Sequence, residues 1–91
     1  MKSSAMTEDP FQIQITRRAQ KDIATLTPKL KKKLREILVN RIAVNPFDGK
    51  KLVGDLKGSW SVRLTLKDRV VYSVEEEEHT VYILRARTHY E

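Results

Sequence analysis

The chain contains no cysteine, only three glycines and three prolines, and just two histidines among its 91 residues. Without cysteine it has neither disulfides nor thiolate metal ligands, and two histidines do not make a convincing zinc site. The low glycine and proline content, with a hydrophobic share of 40%, is typical of a globular chain. No apolar run approaches the roughly 20 residues that span a bilayer, and the N-terminus carries no secretory signal. We therefore expect a cytoplasmic protein without metal, cofactor or membrane segment.

The chain has length for one domain only. Its first ten residues are polar and irregular, so we interpret residues 1–10 as a disordered or tag-derived extension. We assign residues 11–91 to a single domain, because a chain of this size builds one modest core and no second one.

Acidic residues are scarce and unevenly placed. The chain has 18 Lys and Arg against 12 Asp and Glu, for a net charge of +6, and four of those acids form the run Glu75–Glu78. The remaining surface is therefore more basic than the net charge indicates. A positive field of this kind favours a polyanionic partner. It does not distinguish a nuclease from a DNA-binding protein or from a protein that binds an acidic protein.

The hydrophobic periodicity predicts an α+β fold, in which a strand and a two-helix hairpin precede a three-stranded antiparallel meander. Thr16 and Thr27 stand at helix N-cap positions, and Pro28 follows at a first helical position. The expected segments are a strand at Phe11–Ile15, helices at Arg17–Leu26 and Pro28–Val44, a loop at Phe47–Ser59, and strands at Trp60–Leu66, Arg69–Val74 and Thr80–Arg87.

Alternation along the strands sorts their side chains between the two faces of the sheet. If no strand contains a bulge, the face beneath the helices carries Val62, Leu64, Leu66, Val70, Tyr72, Val74, Tyr82, Leu84 and Ala86. The opposite face then carries Arg63, Arg69, Arg85 and Arg87, together with Val71, Val81 and Ile83. Arginine presents a planar set of donors that matches phosphate oxygens. The sequence therefore predicts a phosphate-binding face, and the alternative is a solvated face with salt bridges.

Three further groups have both a functional and a structural interpretation. His89 and Tyr90 could transfer a proton and stack on a base, or they could be a terminal dipeptide without a role. Lys29, Lys32 and Lys33 form a basic helix surface that either contacts nucleic-acid backbone or is only solvated. His79, beside the acidic run, is expected to be a solvated loop residue.

The residues resemble a known family, the RelE/ParE superfamily of type II toxin–antitoxin toxins. The resemblance covers about residues 11–91 and is closest to the RelE/YoeB branch of mRNA interferases. It is carried by the ordered motifs Asn45-Pro46-Phe47-Asp48-Gly49, Trp60-Ser61-Val62-Arg63-Leu64, Asp68-Arg69-Val70-Val71-Tyr72-Ser73-Val74 and Arg87-Thr88-His89-Tyr90.

The resemblance implies a microbial RNase-like fold and an endoribonuclease that cleaves mRNA in the ribosomal A site without a metal. Arg69 and Arg87 would stabilise the scissile phosphate, His89 would protonate the leaving oxygen, and Tyr90 would orient the substrate. Arg63 matches a basic position of the RelE-type toxins. The resemblance further implies a cognate antitoxin as partner, together with the ribosome and mRNA, and either a homodimer or a toxin–antitoxin hetero-oligomer.

One position departs from the family pattern. YoeB-type enzymes carry a glutamate base before the Trp strand, whereas this chain has Lys50 there. A protonated lysine cannot accept a proton, so we assign Lys50 and Lys51, with Arg85, to binding phosphate and stabilising charge. The sequence does not identify the residue that acts as general base. The alternatives are a ParE-like toxin that inhibits DNA gyrase without cleaving anything, and a catalytically degenerate member that only binds its antitoxin.

Overall fold

A computed structural model describes residues 9–52 and 58–86 of the chain. Within these ranges the fold is a five-stranded sheet and two helices, so the predicted α+β class is confirmed. The helices and strands are β1 (Gln12–Ile15), α1 (Arg17–Ala24), α2 (Pro28–Ile37), β2 (Lys50–Lys51), β3 (Ser59–Arg63), β4 (Arg69–Glu75) and β5 (Thr80–Arg85). The division into an extension at residues 1–10 and one domain at residues 11–91 stays a prediction.

Both helices begin where the capping residues predict. The side chain of Thr16 accepts a hydrogen bond from Ala19 N at the start of α1, and that of Thr27 accepts one from Leu30 N at the start of α2. These bonds satisfy backbone N–H groups that have no partner within the first helical turn. The sequence prediction made both helices too long. After α2 the chain continues in the wider π-turns of residues Leu38–Ile42.

The strands lie in the order β1-β5-β4-β3-β2. Strands β3, β4 and β5 form the predicted antiparallel meander, and β1 pairs parallel with β5 at one edge. The other edge was not predicted, because the segment after α2 was interpreted as a loop. It contains a 3₁₀ turn at Pro46–Asp48 and then β2, whose two residues pair with β3.

The two helices cover one face of the sheet, and the hydrophobic core lies between the helices and that face. Its buried members from the helical region are Ala19, Leu26, Leu34, Ile37, Leu38 and Ile42. Its members from the sheet and the following residues are Val62, Leu64, Val70, Tyr72, Val81, Ile83 and Ala86. We call this side of the sheet the core face and the opposite side the arginine face.

The predicted faces were wrong for most of β5, because this strand contains a bulge. Val74 pairs with Val81 and Tyr72 with Ile83, so Val81 and Ile83 lie on the core face rather than on the arginine face. The next pair is Val71 with Arg85, which leaves Leu84 as an extra residue in β5. An extra residue restores the expected side for the next residues of the strand, Arg85 and Ala86. Arg85 therefore still lies on the arginine face.

Two hydrophobic residues also depart from the prediction. Leu66 was expected in the core but is 91% exposed, because β3 ends at Arg63 and the chain turns before it reaches Leu66. Val71 lies on the arginine face yet is almost completely buried. The arginine face is therefore not uniformly solvated.

Candidate functional site

Two arginines lie directly opposite each other on neighbouring strands. Arg63 ends β3, Arg69 begins β4, and the two are register partners. Directly opposed residues in an antiparallel pair have Cβ atoms about 5 Å apart, so two like charges here repel each other. A tight turn brings them together, because Leu64 N and Thr65 N both donate to the Asp68 carbonyl oxygen at 2.9 and 3.1 Å. The pair concentrates positive charge at one end of the arginine face.

Lys50 joins this face in the next row across the sheet. It pairs with Ser61, Ser61 pairs with Val71, and Val71 pairs with Arg85, so the four residues form one row. Register partners share a face, which places Lys50 on the same side as the arginine pair. The side chain of Lys50 is exposed. Lys50 therefore lies one row away from the two arginines.

Lys51 does not join the arginine face. As the next residue of β2 it points to the opposite side, where its Nζ lies 5.9 Å from the centre of the Trp60 ring. A cation over an indole ring is a favourable electrostatic contact. The structure thus separates two lysines that the sequence prediction had grouped together.

Arg85 shares the arginine face by register, but a carboxylate holds its side chain. Its Nε donates to Asp22 Oδ2 at 2.7 Å and its Nη2 donates to Asp22 Oδ1 at 3.3 Å. The same carboxylate accepts a hydrogen bond from Ala86 N at 3.2 Å, beyond the end of β1. Arg85 therefore ties β5 to α1. Its assignment to phosphate binding stays a prediction, and Asp22 is a structural partner that the sequence prediction missed.

The α2 lysines lie apart from this cluster. Lys29, Lys32 and Lys33 are exposed on α2, whose buried side packs against the core face. The thickness of the core separates them from Arg63 and Arg69. Any contact that they make with nucleic acid is therefore a second contact, remote from the arginine pair.

Three of the predicted site residues, Arg87, His89 and Tyr90, lie outside the described residues. Their proposed roles in phosphate stabilisation, proton transfer and substrate orientation stay predictions. Strand β5 does run towards the end of the sheet at which Arg69 begins β4, since the two strands are antiparallel. In the parts of the chain that the structure describes, no group of three or more His, Cys, Asp or Glu residues could hold a metal ion.

The opposite end of the sheet carries an aromatic cluster. The His79 ring stacks on Phe11 with 4.0 Å between ring centres, and Phe47 packs edge-on against Phe11 and Trp60. His79 Nε2 lies 2.6 Å from the Asp9 carbonyl oxygen, and its backbone is left-handed, with a φ of 53°. His79 lies in the turn before β5, as predicted, but it is half-buried rather than fully solvated, because its ring is held against Phe11.

Tyr72 places a polar group inside the core. The residue is completely buried, and its hydroxyl donates to the Pro46 carbonyl oxygen at 2.6 Å. Burial raises the pKa of Tyr72 to about 12, and the charge of Asp48 acts in the same direction. A hydrogen bond from the Gly49 backbone and the charge of Arg41 oppose this rise. The sequence prediction identified Tyr72 as a core residue but not its link to the segment before Lys50.

Comparisons with known proteins agree with this architecture. Residues 15–90 match the family described as the YoeB-like toxin of bacterial type II toxin–antitoxin systems. No curated protein matches the chain significantly. Among the helices of the described ranges, none has the length and apolar character needed to cross a membrane.

Solved structures of toxin–antitoxin proteins share the fold over nearly their full length. The RelBE2 toxin–antitoxin complex of Mycobacterium tuberculosis matches with 29% identity and a TM-score of 0.79, over 89% of this chain and 99% of that one. The YoeB–YefM complex of Staphylococcus aureus matches with 26% identity and a TM-score of 0.72, over 88% and 98%. A YoeB dimer from Staphylococcus aureus matches with 26% identity and a TM-score of 0.73, over 89% and 99%.

Proposed function

We propose, from the premise that this chain belongs to the YoeB-like toxin family of bacterial type II toxin–antitoxin systems, that it is a ribosome-dependent mRNA endoribonuclease. It would act in the ribosomal A site, without a metal, and thereby inhibit translation. A cognate antitoxin would bind it and hold it inactive; two of its relatives were solved as complexes, RelBE2 as a toxin–antitoxin complex and YoeB with YefM. The resemblance in the sequence and the geometry of the arginine face both support this proposal.

The observation that carries it is the direct opposition of Arg63 and Arg69, with Lys50 one row away. Guanidinium groups on two neighbouring strands can both donate hydrogen bonds to one anion that lies close to them. A phosphodiester supplies such an anion, and its charge grows at the phosphoryl oxygens as the reaction proceeds. Cations placed in advance around this charge stabilise the transition state more than the ground state.

The proposed reaction is an internal transfer of the phosphoryl group. The ribose 2′-hydroxyl loses its proton, and its oxygen forms a bond to the adjacent phosphorus. The bond from phosphorus to the 5′-oxygen breaks, and the leaving oxygen takes up a proton. The products are a 2′,3′-cyclic phosphate and a 5′-hydroxyl. Arg69 and Arg87 would stabilise the phosphoryl oxygens, Lys50 and Arg63 would bind the phosphate, and His89 would donate the proton with Tyr90 orienting the substrate.

The experiment maps the 5′ ends of cellular mRNA after expression of the wild-type chain and of single variants. Arg69→Ala and His89→Ala should abolish in-frame cleavage, and in a purified ribosome assay Arg69→Ala should slow single-turnover cleavage about 10²- to 10³-fold. Arg35→Ala is the matched control, because Arg35 is an exposed arginine on α2, across the core from the arginine face. It should cleave normally.

Three other results would change the proposal. Growth arrest with intact mRNA and induction of the DNA-damage response would replace the nuclease with a gyrase inhibitor. Absence of both effects, with antitoxin binding retained, would identify a catalytically degenerate member. Cleavage that persists in His89→Ala and disappears in Arg69→Ala would leave an arginine-dependent nuclease with a different proton donor.

A further inference from the structure

The Tyr72 hydroxyl is a buried polar group that adds nothing to the packing of the hydrophobic core. Its ring lies on the core face of β4 with no exposed surface. A phenylalanine would fill the same space without bringing a polar atom out of water, so the hydroxyl needs partners to offset its desolvation. Two groups contact it: it donates to the Pro46 carbonyl oxygen at 2.6 Å, and the Gly49 backbone lies directly against it.

These two partners lie at the two ends of one tight turn. Pro46 begins the 3₁₀ turn, Gly49 follows its last residue, and Lys50 comes directly after Gly49 as the first residue of β2. Among the described residues, the other bonds that hold this turn are exposed. They are the bond from Phe47 N to the Asn45 side chain at 3.3 Å, the backbone bond from Asp48 N to the Asn45 carbonyl oxygen at 3.1 Å and the Arg41–Asp48 ion pair at 3.4 Å, all at exposed residues. The phenol is thus the buried anchor of the turn.

Gly49 shows how closely the turn is held against the sheet. A Cβ atom at this position would collide with the Tyr72 hydroxyl, and it would also lie 2.9 Å from the Ser61 carbonyl oxygen. If the pairing of β2 with β3 shifted by one residue, Asp48 or Lys50 would take the position of Gly49, and each of them has a Cβ atom. The contact between Gly49 and Tyr72 therefore selects one register for β2, the one that places Lys50 opposite Ser61.

We propose that the Tyr72 hydroxyl is a positioning group for Lys50: by fixing the Pro46–Gly49 turn against β3, it holds the lysine ammonium on the arginine face beside the scissile phosphate. Strand β2 has only two residues, so strand pairing alone orders it weakly. This inference rests on the proposed nuclease function for its catalytic consequence. The structural part, in which the hydroxyl orders Lys50, does not depend on catalysis.

The test is a double-mutant cycle in a purified ribosome cleavage assay under single-turnover conditions. Tyr72→Phe should slow cleavage by about tenfold in the wild-type background, and by less than about twofold in the Lys50→Ala background, because the hydroxyl acts through the lysine. Tyr82→Phe is the matched control. It also deletes a phenol hydroxyl, but one that is bonded to Glu78 at 2.6 Å, at the end of the sheet away from the arginine pair. It should leave the rate unchanged.

A structural measurement separates this inference from the proposed function. Leu52 N donates to the Ser59 carbonyl oxygen at 2.8 Å next to β2, so its hydrogen exchange reports whether the segment stays paired. In Tyr72→Phe this amide should exchange at least tenfold faster than in wild type, while the Val81 amide in the sheet keeps its rate. No change at Leu52 would overturn the inference, whether or not the protein cleaves RNA.

Failure of the proposed nuclease function and failure of the positioning role of Tyr72 would give different results. Wild-type protein that cleaves nothing would remove the proposed function and with it the catalytic role of Lys50, while accelerated exchange at Leu52 would still support the ordering role of Tyr72. Cleavage that is slowed equally in both backgrounds would show that the hydroxyl acts on the fold as a whole. That result would overturn the positioning role and leave the nuclease intact.

Discussion

Single residues determine which cations of the arginine face are held by the protein itself. Arg85 is held by Asp22, with only 34% of the Arg85 side chain and 15% of the Asp22 side chain exposed. Arg63 is exposed, by contrast, at the end of its strand. A charge held by a fixed carboxylate is partly neutralised before any ligand arrives. Cations on one face thus differ in how far a neighbouring carboxylate already neutralises them.

Replacing Asp22 by alanine should lower the free energy of unfolding by about 1–3 kcal/mol, because it leaves a partly buried guanidinium and the Ala86 N–H without their acceptor. The measurement is urea denaturation. Asp48→Ala is the control: its ion pair with Arg41 is exposed on both sides, so the change should stay within about 0.5 kcal/mol. Equal losses for the two variants would contradict the anchoring role of Asp22.

At the scale of elements, one threonine joins a helix to the sheet. Thr16 accepts the Ala19 N–H as an N-cap, and its hydroxyl also donates to the Ile83 carbonyl oxygen at 2.8 Å. Its backbone N–H donates to the same carbonyl at 3.1 Å. The start of α1 is therefore attached to β5 just before the bulge at Leu84. Thr27 caps α2 with an exposed bond to Leu30 N at 3.2 Å.

The two caps should differ in their contribution to stability. We expect Thr16→Ala to cost about 1–2 kcal/mol, because it removes the cap and a bond to the sheet, and Thr27→Ala to cost about 1 kcal/mol or less. Chemical denaturation of both variants measures the difference. A larger loss for Thr27→Ala would show that the contact of Thr16 with β5 adds nothing.

Over the whole molecule, the sheet separates two basic surfaces. The arginine face lies on one side of the sheet, and the exposed lysines lie on the other side, on the outer surface of α2. A single phosphodiester cannot contact both. The basic residues of the proposed reaction site are therefore separate from those of a remote surface whose expected role is binding.

This division predicts the kinetics of a triple variant. Replacing Lys29, Lys32 and Lys33 by alanine should raise KM for ribosomes and leave kcat unchanged. It should also lower the salt dependence of binding by about one unit of slope for each of these lysines that binds a phosphate. Steady-state cleavage at several salt concentrations measures both effects. A lower kcat with unchanged KM would place these lysines at the reacting phosphate and contradict their separation from Arg69.

Local patterns in the chain were sufficient to predict the class of fold, both helix starts, the antiparallel meander and the common face of Arg63 and Arg69. These features depend on neighbours a few residues apart, such as a capping threonine or a tight turn. The family resemblance was likewise carried by short motifs. The roles of Arg87, His89 and Tyr90 stay predictions, because these residues lie outside the described part of the chain.

Only the tertiary structure decided the rest. The bulge at Leu84 reversed the faces of Val81 and Ile83, because burial under the helices outweighs strict alternation along a strand. The pairing of β2 with β3 makes residues 50 and 51 a strand, and successive strand residues face opposite sides of the sheet, so Lys50 and Lys51 are separated. The partnership of Arg85 with Asp22 joins residues 63 positions apart. Contacts over such distances leave no periodic signal in the sequence, so local patterns could not predict them.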